Sequence, residues 1–183
     1  MSDKAHSIWQ KFCSEQRVEQ EAVPLFAEKN GRVEVQRIGN DERPVLCRSG
    51  EMEAMVEREV DLVARDASLG GDEYDGLIYL MCTIDEGEIT PLYIGKTEKF
   101  GLDGGNLSVN IKNISTDRTK FARWGNGYAY HIGDLSAVVL PGHSPKKQTR
   151  KYRAWADSLF EEYPAESPKL RQPVHYWGKA WRR

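Results

Sequence analysis

Residues 77–84, Leu-Ile-Tyr-Leu-Met-Cys-Thr-Ile, and residues 89–94, Ile-Thr-Pro-Leu-Tyr-Ile, are apolar, β-favouring runs separated by Asp85-Glu86-Gly87-Glu88. Nothing else in the chain constrains its fold as tightly. The first run is continuous, the pattern of a strand covered on both faces. The cluster between the runs has turn chemistry, with Gly87 free to take a positive φ, and Gly95-Lys96-Thr97 ends the second run. The two runs predict a hairpin at the centre of a sheet. Tyr79 and Tyr93 stand one on each strand, and a buried tyrosine has to direct its hydroxyl at something polar.

The remaining segments predict helices and short strands around that hairpin. Residues 3–21 predict a helix capped by Ser2 or Asp3, with Ile8, Trp9 and Phe12 as its apolar patch. Val33, Val35 and Ile38, the turn Gly39-Asn40-Asp41, then Pro44-Val45-Leu46 predict a small surface hairpin. Ser49-Gly50 opens a helix carrying Met52, Met55, Val56, Val60 and Val63 at helical spacing, and Gly70-Gly71 ends it. After the central hairpin, residues 100–105 predict a loop. Residues 106–114 and 117–124 predict two short helices, the second stopped by Gly125 and Gly127. Residues 128–140 predict a third strand. Residues 148–163 predict a long helix with the stripe Tyr152, Trp155, Ala156, Leu159, Phe160 and Tyr163. Residues 174–177 predict a last edge strand. The expected class is α+β: a small three-stranded, mainly antiparallel sheet flanked by helices, with an N-terminal helical extension. Residues 1–73 form that acidic, mainly helical extension, and residues 74–183 form the sheet-bearing domain.

Charge sharpens this division. The net charge of −2 does not advertise a polyanion partner. From Tyr93 to the end, however, there are 16 Lys and Arg against 8 Asp and Glu, leaving 10 and 20 in the first 92 residues. A basic half joined to an acidic half places any phosphate-binding surface in the second half. No apolar run approaches membrane-spanning length, and Met-Ser-Asp-Lys carries no signal-peptide core, so a cytoplasmic protein is expected. Cys13, Cys47 and Cys82 are widely spaced, without a C-x-x-C pair, and read as buried free thiols.

Leu77-Ile78-Tyr79, followed across the hairpin by Tyr93-Ile94-Gly95-Lys96-Thr97, resembles the signature of the GIY-YIG nuclease superfamily. The second half matches letter for letter, and Gly76 stands one place earlier than the family has it. The resemblance covers roughly the second 60% of the chain. It implies hydrolysis of DNA phosphodiesters, with RNA as a further possible target, one Mg²⁺ or other divalent cation, and DNA contacts through the basic half. A homodimer is compatible with it.

Cleaving a phosphodiester takes a base for the attacking water and positive charge on the phosphate, usually with a metal held by carboxylate. By the resemblance, Tyr79 is the base and Tyr93 orients the nucleophile. A phenol titrating at about 10 needs a neighbouring cation to act near neutrality. Lys96, directly after Tyr-Ile-Gly, is placed for that role. The family's phosphate-binding arginine corresponds to Arg118 or Arg123, and Arg123 is favoured because it lies between Phe121 and Trp124. His131, in the expected third strand, is a candidate to assist the base or the leaving group. The metal-binding glutamate has no counterpart: aligning Leu159-Phe160 with the family's apolar pair puts Ala156 at its position. Asp157 and Glu161 are the nearest carboxylates, and no asparagine follows in the tail. Two alternatives stand beside the nuclease: a catalytically inactive relative that binds nucleic acid or a protein, and an unrelated α+β protein whose Trp155, Trp177 and Trp181 bind a partner.

Overall fold

The computed structural model of the chain describes residues 3–101, 107–116 and 130–182. Helices α1 (Asp3–Glu15) and α2 (Val18–Glu21) lead into the short strands β1 (Val23–Pro24), β2 (Glu28–Lys29) and β3 (Arg32–Val33). The hairpin β4 (Val35–Ile38) and β5 (Arg43–Leu46) follows, then helix α3 (Gly50–Ser68). The central hairpin is β6 (Gly76–Asp85) and β7 (Glu88–Glu98). Helices α4 (Val109–Thr116), α5 (Tyr130–Val139) and α6 (Arg150–Leu159) precede the last strand, β8 (His175–Trp181).

The predicted hairpin is present, with a two-residue turn. Glu86 and Gly87 both have positive φ (45° and 84°), the mirror-image turn whose twist matches its flanking strands. β7 does not end at Gly95-Lys96-Thr97 but continues to Glu98, opposite Gly76. The sheet is antiparallel with order β1-β8-β6-β7. It therefore has four strands where three were expected. The C-terminal strand is also not at an edge, since β8 pairs with β6 from His175 to Trp181 and with β1 on its other side.

Residues 128–140 are not the third strand: α5 occupies Tyr130–Val139. His131, Ile132 and every residue from Leu135 to Leu140 are buried. A helix covered nearly all round reads in sequence as an apolar run, as a buried strand does, so the period that separates them is lost. Ser136, inside this run, donates to the Ile132 carbonyl and accepts from the Leu46 amide, which ties α5 to β5. The other helices follow their sequence signals more closely. Ser49 caps α3, its Oγ accepting from the Met52 amide at 2.9 Å, and Met52, Met55, Val56, Val60 and Val63 are all buried. The first helix is interrupted at Gln16-Arg17, where Arg17 takes a left-handed φ of 52°. The long helix is shorter than predicted: it stops at Leu159, where Phe160 turns extended and bridges to Leu170.

Alternation along β6 sorts the core into two layers. Leu77, Tyr79 and Met81 join the large cluster with α3, α4, α5 and α6. Leu80 and Cys82 join a smaller cluster with Cys13, Val18 and Trp177, against which Trp9 and Phe12 of α1 pack. Residues ahead of Gly76 supply β1 of the sheet and α3, whose face covers β8 and β6. Among the described residues, no helix is long and apolar enough to cross a membrane.

Candidate functional site

The site is built on the face of the sheet that carries Tyr79. Tyr79 lies opposite Gly95 of β7 and Gly178 of β8. A Cβ at Gly95 would overlap the Tyr79 ring, and one at Gly178 would come within 2.9 Å of the Tyr176 hydroxyl. Both glycines are thus places where an aromatic ring lies across bare backbone. Tyr79 is 4% exposed and stacks on Tyr176 with centroids 6.1 Å apart and planes 19° apart. Burial, with Tyr79 and Glu59 nearby, raises the Tyr176 phenol well above its ordinary value, so it stays protonated.

Tyr93 reaches the same face only because β7 carries a bulge. Cys82 pairs with Pro91 but Met81 pairs with Tyr93, so Leu92 has no partner of its own. Without that extra residue Tyr93 would fall opposite Leu80 and point to the other layer. As built, the Tyr93 ring lies 5.9 Å from that of Tyr79 and 4.2 Å from His131. Trp155 of α6 closes the group, 5.7 Å from Tyr93 and 5.4 Å from His131. His131 Nδ1 is hydrogen-bonded to the Tyr152 hydroxyl at 2.9 Å. Burial, and then the charge of Lys151, lower the imidazole to about 4, so it is neutral at physiological pH.

Lys151 lies over the outer side of this ring cluster. Its Nζ is 4.6 Å from the Tyr93 ring centroid, 5.1 Å from Trp155 and 5.2 Å from Tyr152. Arg150 and Arg153 are exposed on the same helix, and Lys146 precedes it. No acidic residue occurs between Asp134 and Asp157. Cations in the first turn of a helix oppose its dipole, so this basic cluster is not there to stabilise α6.

Of the expected site residues, the structure brings together Tyr79, Tyr93 and His131. Lys96 is on the other face: it pairs in register with Ile78, is exposed, and is bound to Glu98 at 2.7 Å. Arg118 and Arg123 lie outside the described residues. Asp157 accepts a 2.6 Å hydrogen bond from the Tyr163 hydroxyl, and Glu161 pairs with Lys169 at 2.7 Å. Ala156 is fully buried between Tyr152 and Leu159 on the core face of α6.

A divalent ion of the Mg²⁺ type takes oxygen ligands, carboxylates above all. The cluster presents phenols, an imidazole, an indole and an ammonium instead. Among the described residues, no group of three or more His, Cys, Asp or Glu stands close enough to hold a metal. These residues do not fit the ion that the family resemblance implies, and no step is derived through it.

Lys151, Tyr152 and Tyr176 escaped the sequence reading as site residues, and Trp155 entered it only as a tryptophan that could bind a partner. Tyr152 and Trp155 are i,i+3 and Lys151 and Trp155 are i,i+4, which put all three on neighbouring positions of one helical surface. That spacing was visible, but it is equally the spacing of a core stripe. No family model, no curated protein and no solved structure matches this chain.

Proposed function

We propose that the chain is a GIY-YIG-like endonuclease that binds DNA at the Tyr93 pocket and hydrolyses its phosphodiester bonds. The observation that supports this reading best is the convergence of Tyr79, Tyr93 and His131 on one sheet face, beside the basic start of α6. Tyr93 is half-buried and is the phenol that a phosphodiester can reach. Tyr79 lies beneath it and fixes its position. The neutral imidazole of His131 exchanges hydrogen bonds without adding charge, and Lys151 supplies the positive field.

A second reading is favoured by one observation. Ala156 fills the helix position where the family has its carboxylate, and Asp157 and Glu161 are engaged elsewhere. In that reading the domain binds nucleic acid without cutting it. Incubation of the purified protein with supercoiled plasmid and Mg²⁺, beside Tyr93→Phe, separates the two. The nuclease reading expects nicking that falls at least about 100-fold in the variant, the scale of losing an oriented catalytic group. DNA binding without nicking, or nicking equal in both proteins, sinks it.

A further inference from the structure

We infer that Lys151 is the phosphodiester-binding charge of this pocket and that it holds the phosphate without a divalent ion. The inference rests on the nucleic-acid reading above and assigns its anion-binding residue. Lys96, Lys99, Lys169 and Lys179 each pair with a carboxylate. Lys151 has no carboxylate partner among the described residues; it faces the rings of Tyr93, Tyr152 and Trp155. Ring quadrupoles attract an ammonium but leave its charge uncompensated. The cage therefore keeps a long, otherwise mobile side chain in one place, with a full positive charge still available to an anion.

The neighbours complete the match to a phosphodiester. His131 is held neutral, so the pocket contributes one positive charge to meet one negative charge. Tyr93, half-buried beside Lys151, carries a phenol hydroxyl that can donate to a phosphate oxygen. Arg150 and Arg153 lie exposed on the same helix, where flanking phosphates of a polynucleotide would run. A base stacked on Trp155 or Tyr93 would replace the ring contacts that Lys151 gives up on turning toward the backbone.

The test is equilibrium binding of a short fluorescent DNA to the full chain in EDTA, across salt from about 50 to 200 mM. Wild type, Lys151→Met, Lys151→Arg and, as a distant control, Lys11→Met are compared, with thermal unfolding of each to confirm folding. Wild type is expected to bind in EDTA. Lys151→Met should bind roughly tenfold more weakly, with the slope of log affinity against log salt reduced by about one. Lys151→Arg should recover most of the affinity, and Lys11→Met should match wild type. Without DNA, the His131 imidazole should titrate higher in Lys151→Met, because the cation that opposes its protonation is gone. Binding by wild type with an unchanged affinity and slope in Lys151→Met overturns the assignment and leaves the nucleic-acid reading standing. Binding that appears only on adding Mg²⁺ overturns it as well. No DNA binding by wild type even at low salt removes both.

Discussion

The two faces of β6 are made by the same strand and end in opposite chemistry. On one face Leu80 and Cys82 meet Trp177, Phe12 and Cys13, and helix α1 covers them. Phe12 and Trp177 meet edge-on, 5.8 Å apart. On the other face Tyr79 supports a chain of rings that runs through Tyr93 to His131, Tyr152 and Trp155 and ends at a charged ammonium. Both faces are rich in aromatics, so aromatic content does not distinguish a core from a site. What distinguishes them is how each cluster ends. The first closes beneath helix α1 on the rings of Trp9 and Phe12, and the second ends on the Lys151 ammonium.

The most drastic way to break this comparison is to empty the closed face. Trp177 is almost fully buried, and Trp177→Ala should cost about 3–5 kcal/mol through lost transfer energy and an unfilled cavity. A urea unfolding curve measures it as a lower midpoint with a similar slope. If the two faces are independent, any folded fraction of this variant keeps the DNA affinity of wild type. A loss of affinity beyond the unfolded fraction would show that the faces are coupled through β6 and β8.

The second test acts on the open face. Gly95→Ala places a methyl group inside the Tyr79 ring, which is itself held between Tyr93 and Tyr176. Overpacking of this kind costs about 2–3 kcal/mol, and here it should also displace Tyr93. DNA affinity is expected to fall together with stability, unlike in Trp177→Ala. Calorimetry and binding on one preparation give both numbers. A variant with wild-type stability would mean that Tyr79 has room to move aside.

These two positions also mark where sequence was informative. The hairpin was legible because turn residues and β-branched runs are local signals, and Tyr79 and Tyr93 stood out on it. Parity was not legible. One bulged residue, Leu92, decides that Tyr93 shares the face of Tyr79, and the same alternation sends Lys96 to the opposite face. The ammonium that lies against Tyr93 belongs to Lys151 of α6, 55 residues after Lys96 in the chain, a placement that only tertiary packing supplies. α5 reads as a strand because burial nearly all round erases its period, and β8 reads as an edge because its partners are 93 to 153 residues away in the chain. His131, expected on a strand, lies on helix α5.

The smallest effect sharpens the comparison most, because it turns on one buried imidazole at the centre of the open face. His131 is 4% exposed and holds its proton only below about 4, against 6.5 for a free imidazole. Between those values the unfolded chain binds a proton that the folded chain refuses, so stability rises with pH across the window and falls as pH is lowered through it. Among the described residues, Tyr93, Tyr152 and Trp155 face the ring, and Lys151 supplies the charge that opposes its protonation. The expected loss between pH 6.5 and 4 is roughly 2 kcal/mol after allowance for solvent at the Lys151 side of the pocket. Urea midpoints taken at steps through that window should decline more steeply for wild type than for His131→Gln, in which burial still lowers the His175 imidazole and leaves a residual slope. Asp66 supplies an internal marker. Its hydrogen bonds from Lys99 and from the Tyr74 and Glu73 amides lower its carboxyl below the ordinary 3.8, so its contribution is lost only at more acid pH. A decline shared equally by His131→Gln would assign the slope to His175 and the carboxylates rather than to His131. The neutral ring that ties Tyr93 to Tyr152 would then need another explanation.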